Sequence, residues 1–299
     1  MKRKALIAVS SVVLILTAGC VQDPQVTDEE HIYQLLASSE LVKMGALEGQ
    51  GGEMDGKDST GVDLPEIWWR KISAEGAFKV VINGNPEAGI CTVSVNHNLL
   101  ANFYIDVVHD LEINTGMKTI EDLRERRIIV ERTGNPSSTP HGGWTVRSVT
   151  PAEFSLSNSS EQEVFIESMK LYRGEELLLD CTSPDQFIDI EDLPELSEGE
   201  LVKLEVTVLH TNPQYEPPYF VYVHGPCPSW PRHLMYDDGN FGDVTAGDGI
   251  YTYEWYVEDS FIYFHKWRIA ADIIDADTMA DQIEEDYDSG AWCIPVIEV

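Results

Sequence analysis

The sequence is short of positive charge. Its 299 residues hold 20 Lys and Arg against 52 Asp and Glu, a formal net charge of −32. Such a chain repels phosphate backbones and anionic lipid, so nucleic acid is excluded as a partner. Three readings of the acidity stay open: a solvated surface suited to high salt, a binder of divalent cations, or a lure for a basic partner. Catalytic signatures are missing too. There is no Gly-x-Ser-x-Gly, no His-Glu-x-x-His and no phosphate-binding loop ending in Gly-Lys-Ser/Thr. Acidic pairs are so numerous that none stands out as an acid–base dyad, and the chain is read as non-enzymatic. Cys-x-x-Cys is absent, which speaks against a zinc site or a thioredoxin-type pair. Beyond the first twenty residues no apolar run is long enough to span a bilayer, and no repeat of fixed period is evident.

What is present begins at the N-terminus. Lys2, Arg3 and Lys4 precede an apolar run over 5–16, and Thr17-Ala18-Gly19-Cys20 closes it with small residues before a cysteine. That layout is an export signal. The cysteine after Ala-Gly resembles a bacterial lipoprotein cleavage site, with Thr17 where the pattern usually has Leu. The resemblance implies cleavage before Cys20 and diacylglycerol on its thiol, which would hold the chain to a membrane without a spanning helix. Val21 is not the aspartate that resembles an inner-membrane retention signal, so the expected place is the outer membrane of the cell envelope. Residues 1–19 are then signal peptide and 20–27 a lipidated tether. With Cys20 taken by lipid, Cys91, Cys181, Cys227 and Cys293 remain. Outside the cytoplasm that even number permits two disulfides. Cys91 either pairs across a domain boundary, with Cys181, or stays a buried thiol.

Two domains are expected. Thr27-Asp28-Glu29-Glu30 has capping-box spacing, and Ile32, Leu35, Leu36, Leu41 and Val42 recur at helical period, so a helix is read over 28–44. The stretch 45–64 reads as a loop. Strands follow from Trp68 and Trp69 onward, over 77–83, 89–96 and 101–108. Thr119 caps a short helical turn, and 127–132 and 143–149 form a further strand pair. A helix followed by such a sheet, with Arg127 to Arg132, a Gly-rich hairpin and then Trp144-Thr145-Val146, resembles cystatin-like and SnoaL-like cone folds. The resemblance implies an α+β domain, a helix on a curled antiparallel sheet, over 28–156. The polar stretch 150–162 reads as the boundary. Beyond it, eight short strands with turn signals between them suggest an all-β sandwich over 163–299. Alternation is clean in Val202-Lys203-Leu204-Glu205-Val206-Thr207-Val208.

The densest run is 235–256. Asp-Asp-Gly at 237–239, Gly-Asp at 242–243 and Gly-Asp-Gly-Ile-Tyr at 247–251 resemble a signature of immunoglobulin-like or fibronectin-type sandwich domains of bacterial surface proteins. The resemblance implies a binding or spacer module and no catalysis. Asp237, Asp238, Asn240, Asp243 and Asp248 offer hard oxygens of the kind Ca²⁺ takes, though not at EF-hand spacing. The competing reading is turn chemistry, in which aspartates bond their own backbone amides. Trp68 and Trp69 are candidates to line a ligand pocket; the alternative is one ring on each face of a strand. Arg124, Arg126, Arg127 and Arg132 form the one basic concentration, either paired with acids or an anion site. His224, Cys227 and His233 are close enough in sequence for a metal, or for a disulfide at Cys227. The expected function is a lipid-anchored envelope module with a protein or glycan partner. The alternative is a small-ligand or carbohydrate binder using a pocket at Trp68 and Trp69.

Overall fold

The computed structural model describes residues 26–39, 41, 49–50, 67–76, 78–106, 115–213, 218–224, 232–257, 266–280 and 287–298. The signal segment, Cys20, Cys227 and most of the 45–64 loop lie outside them. Thr27 starts the chain's first helix. Its hydroxyl accepts from the Glu30 amide at 3.2 Å, and the Glu30 carboxylate accepts from the Thr27 amide at 2.8 Å. Helix α1 (Asp28–Ser38) buries Ile32, Leu35 and Leu36. It stops short of the expected end at 44. Ser38 Oγ turns back onto the carbonyls of Gln34 and Leu35, and Ser39 is extended. No helix among the described residues is long and apolar enough to cross a membrane.

Strands β1 (Gly49–Gln50), β2 (Ile67–Glu75), β3 (Lys79–Asn83), β4 (Ile90–Asp106) and β5 (Thr115–Arg132) follow. β4 and β5 pair antiparallel from Ile90↔Glu131 to Asp106↔Thr115. Two expectations fail here. The strands expected at 89–96 and 101–108 are one strand, and Thr119 caps no helical turn but lies inside β5, opposite Asn102. The cause is visible along β5. Alternate residues face inward, and Lys118, Asp122, Arg124 and Arg126 occupy buried positions where apolar side chains would have marked a period of two.

β6 (Trp144–Val149) and β7 (Ala152–Leu156) come next. The sequence reads 150–162 as a polar boundary, yet β7 alternates buried and half-buried residues. It hydrogen-bonds to β5 on one side and to β17 (Ser289–Glu298) on the other. One sheet therefore runs from the first half of the chain into the second. It continues from β17 through β16 (Lys266–Asp275) to β13 (Tyr219–His224) and β14 (His233–Leu234). Helix α2 (Ala276–Ala280) follows β16 directly, and the short β10 (Ile188–Asp189) and β11 (Glu195–Leu196) clip onto β6 and β17. A second sheet has the order β15–β12–β8–β9, built from β8 (Val164–Arg173), β9 (Glu176–Cys181), β12 (Leu201–His210) and β15 (Ile250–Tyr256).

The core lies between the two sheets and within the curl of the long one. Val202, Leu204 and Val206 of β12 share a cluster with Val221, Ile269, Ile273 and Ile294 of the facing sheet. The other face of β13 and β16 is covered as well. Phe220, Tyr222 and Ile274 pack with Trp68, Phe103 and Ile120, so the long sheet curls until its first strands cover its last. Helix α1 closes one end, with Ile32 and Leu35 in a cluster with Val93, Val130 and Trp144. Asp28 fastens it there by an ion pair to Arg132 and by accepting from Trp144 Nε1 at 3.3 Å. Of the two alternatives for Cys91, the structure has the buried thiol. Cys91 and Cys181 sit in different clusters, and both, like Cys293, are free thiols.

Candidate functional site

The loop between Met235 and Ile250 is tied together by its own aspartates. Asp237 Oδ1 accepts from the amides of Gly247 at 2.7 Å and Asp248 at 3.1 Å, and its Oδ2 from Gly249 at 2.9 Å. Asp243 accepts from Gly239 at 2.6 Å and Thr245 at 3.0 Å. Asp238 accepts from Asn240 at 2.9 Å and Asp248 from Ile250 at 3.0 Å. The bonds to Asn240, Thr245 and Ile250 are Asx turns, while those from Gly239 to Asp243 and from 247–249 to Asp237 tie separate parts of the loop together. A bridge between Tyr236 and Thr252 closes the base of the loop. The carboxylates of Asp237, Asp243 and Asp248 offer oxygens within 4.8 Å of one another. Asp238 stands outside that group. Ca²⁺ takes roughly six to eight oxygens, so three carboxylates make half a shell, and the rest would be carbonyls and water. Each carboxylate keeps lone pairs beyond those its amides use.

The tryptophan pair does not line one pocket. Neighbouring strand residues point to opposite faces. Trp68 faces inward and is fully buried, stacked on Phe103 at 5.2 Å and edge-on to Tyr222 at 5.1 Å. Trp69 faces outward and stacks on Tyr104 at 4.8 Å. Beside Trp68 lies a buried polar group that sequence reasoning missed. Asp272 is fully buried on β16, and its Oδ2 lies 3.2 Å from Arg70 Nη1 and 3.3 Å from Arg232 Nε. Arg70 also donates to Tyr287 Oη at 2.8 Å and Ser289 Oγ at 3.1 Å, and the Arg232 guanidinium lies 4.7 Å over the Trp68 ring. Burial pushes the Asp122 carboxyl up to about 6 despite the pull of Arg70. Burial and the neighbouring Arg232 hold His224 down at about 4. Nothing local in the sequence marks this group, because Arg70, Arg232 and Asp272 are charged positions in three separate stretches.

The arginine concentration is split by the same alternation. Arg124 and Arg126 point inward, and Arg126 donates to the carbonyls of Leu41 at 2.7 Å and Cys293 at 3.1 Å. Arg127 pairs with Asp185 and Arg132 with Asp28. His224 and His233 are separated too. His233 pairs with Val223 across β13 and β14, on the face of the sandwich core, so His224 is on the opposite face.

A third group was not read from the sequence. Glu163, His210 and Asp275 offer atoms within 4.8 Å of one another. The Asn212 amide donates to His210 Nδ1 at 3.0 Å, which leaves the ring proton on Nε2, 2.6 Å from Asp275 Oδ2. Neither nitrogen has a free lone pair for a metal or for a proton to be abstracted. The group is a tie between the ends of β12 and β16 and the residue preceding β8. Asp288 completes it, accepting from the amides of Glu163 at 2.5 Å and Val164 at 3.1 Å, and burial pushes its carboxyl up to about 7.

No protein-family model matches the chain, and no curated protein and no solved structure shows significant similarity to it.

Proposed function

We propose that the chain is a lipid-anchored module of the bacterial cell envelope that works by binding or spacing rather than by catalysis. In this reading Cys20 carries the lipid, the outer membrane is the site of anchoring, and the second half is an immunoglobulin-like sandwich held away from the bilayer. The observation that carries the reading is the aspartate loop. Seven amide hydrogen bonds to four carboxylates make it a rigid shape on an exposed edge, and rigidity in the unbound state is what a recognition surface needs. A hard cation such as Ca²⁺ between Asp237, Asp243 and Asp248 would tighten the same shape. The test of anchoring is fractionation of cells that express the full chain. Cys20→Ser moves the protein from the membrane to the soluble fraction, and the native chain carries a diacylglycerol mass on its first residue. A Cys20→Ser chain still recovered with membranes overturns the anchor.

A second reading is supported by Trp69 and Tyr104. Their rings are 4.8 Å apart and within 11° of parallel on the outer face of the curled sheet. Two such rings form a flat step for a sugar, and Trp69→Ala would abolish retention on an immobilised glycan if that step is the site.

A further inference from the structure

The aspartate loop spends its hydrogen bonds on holding apolar groups in water. Phe241 is 55% exposed and Val244 is 89% exposed, three residues apart at the tip. Phe241 has φ 54°, the left-handed region that disfavours a side chain. Its neighbour Gly242 has φ 90°, a conformation strained for any residue with a Cβ, and a Cβ there would also push aside the Glu254 side chain. The Phe241 ring is backed by Tyr236 at 4.8 Å and Tyr253 at 6.4 Å, and Tyr253 in turn stacks on His233 at 4.9 Å. Residues 235–256 contain five acidic residues and no Lys, Arg or His. An exposed aromatic on a rigid support with a charged rim is the anatomy of a binding hot spot.

We propose that the tip of this loop, Phe241 with Val244, is a preformed docking point for a basic polypeptide segment of a partner protein, its apolar side chains covering Phe241 and its Lys or Arg side chains meeting Asp238, Asp243, Asp248 and Glu254. The inference rests on the reading of the chain as a binding module and supplies that module with a surface and a class of partner. Charge complementarity chooses the class. A −32 chain repels acidic partners, and the tip carries no cation of its own. Arginine gains twice, from the carboxylates and from the exposed ring face.

The test titrates the full chain, in detergent, with two labelled peptides of equal length. One alternates Leu with Arg and the other Leu with Glu; a neutral glucose oligosaccharide is the third probe. The Leu–Arg peptide binds, and Phe241→Gly weakens it by about tenfold although no charge has changed. Glycine adopts φ 54° freely, so this variant keeps its fold, read by an unchanged far-ultraviolet circular dichroism spectrum and a cooperative thermal transition. Val244→Ser weakens binding about threefold, while Leu177→Ser, another exposed apolar residue, leaves it unchanged. Equal affinity of native and Phe241→Gly chains overturns the proposal, as does equal binding of the Leu–Glu peptide or no binding by the native chain. Oligosaccharide binding that is lost in Phe241→Gly assigns the tip to a glycan instead. Cys20→Ser is neutral in this assay, so a failure here is separate from a failure of the anchor.

Discussion

On one face of β16, Ile269, Ala271 and Ile273 pack into a sandwich core with Val202, Leu204 and Val206. On the other face of the same strand, Asp272 is buried between Arg70 and Arg232. One strand thus belongs to two interiors made of different materials. The sandwich interior is held by area removed from water and has little geometric demand beyond volume. The interior of the curled sheet adds to its apolar packing, with Ile105, Ile120 and Ile274, a set of paired charges that stabilise only while every partner is in place. The two should therefore fail differently.

The largest difference is expected from Asp272→Ala. It leaves two buried guanidinium groups without their carboxylate and should cost about 3–5 kcal/mol by urea unfolding. Leu204→Ala, in the sandwich, should cost about 2–5 kcal/mol through lost transfer energy and a cavity. The comparison sharpens with a triple change, Arg70→Met, Arg232→Met and Asp272→Leu. Replacing these three buried charges with apolar volume should recover much of the loss, whereas no polar replacement rescues Leu204→Ala. If Asp272→Ala unfolds within about 1 kcal/mol of the native chain, the paired-charge account of this interior is wrong.

The same contrast explains what could be read in advance. The strands of the second half appear within a few residues of their expected places, because apolar–polar alternation, as in Val202 to Val208, or a short apolar run, as in Tyr219 to Val223, is bounded by turn residues. The capping box at Thr27 is equally plain, since its two hydrogen bonds are local. The sequence pattern divides β5 into a helical turn and a strand because its inward positions carry Lys118, Asp122, Arg124 and Arg126. β7 is hidden in the sequence because its alternation covers only five residues between Pro151 and the Ser- and Asn-rich 157–160, although this strand joins the halves. The Asp272 group has contributors at positions 70, 232, 272, 287 and 289, and only folding brings them together. Of the candidate site, the turn chemistry of the aspartates was legible from Asp-Gly spacing. The exposure and backbone strain of Phe241 were not, because both depend on where the loop is carried.

A middle-sized effect should separate a buried carboxyl from apolar packing by pH. Asp288 ties the start of β8 to β17, near the carboxylates of Asp275 and Glu163, and burial raises its carboxyl from 3.8 to about 7. The folded chain then holds a proton that the unfolded chain has lost. Stability from this group is full below about pH 4 and is lost as pH rises through about 7. Asp288→Asn cannot titrate, so its stability relative to the native chain should improve by about 3 kcal/mol between about pH 4 and pH 8. Leu204→Ala, measured alongside, should cost the same at both ends. A constant difference between Asp288→Asn and native chains across that range would remove Asp288 as a titrating tie.

The smallest expected effect tests whether the aspartate loop is more than a set of turns. Three converging carboxylates with an incomplete shell resemble the weaker extracellular calcium sites, with dissociation constants of about 0.1–1 mM. At about 5 mM Ca²⁺ such a site would add about 1–2 kcal/mol to the folded state by mass action. For a chain of this size that is a rise of about 2–4 °C in the unfolding midpoint over the value in chelator. Asp248→Asn is the discriminating variant. An asparagine Oδ1 still accepts from the Ile250 amide, so the turn survives, while one of the three charges is gone. The variant should match the native midpoint in chelator and show no rise with Ca²⁺. Mg²⁺, which demands a tighter octahedral shell, should shift neither protein. A native midpoint that stays flat from chelator to millimolar Ca²⁺ would leave amide satisfaction as the sole task of these carboxylates, and would leave the rigidity of the tip to the seven amide hydrogen bonds alone.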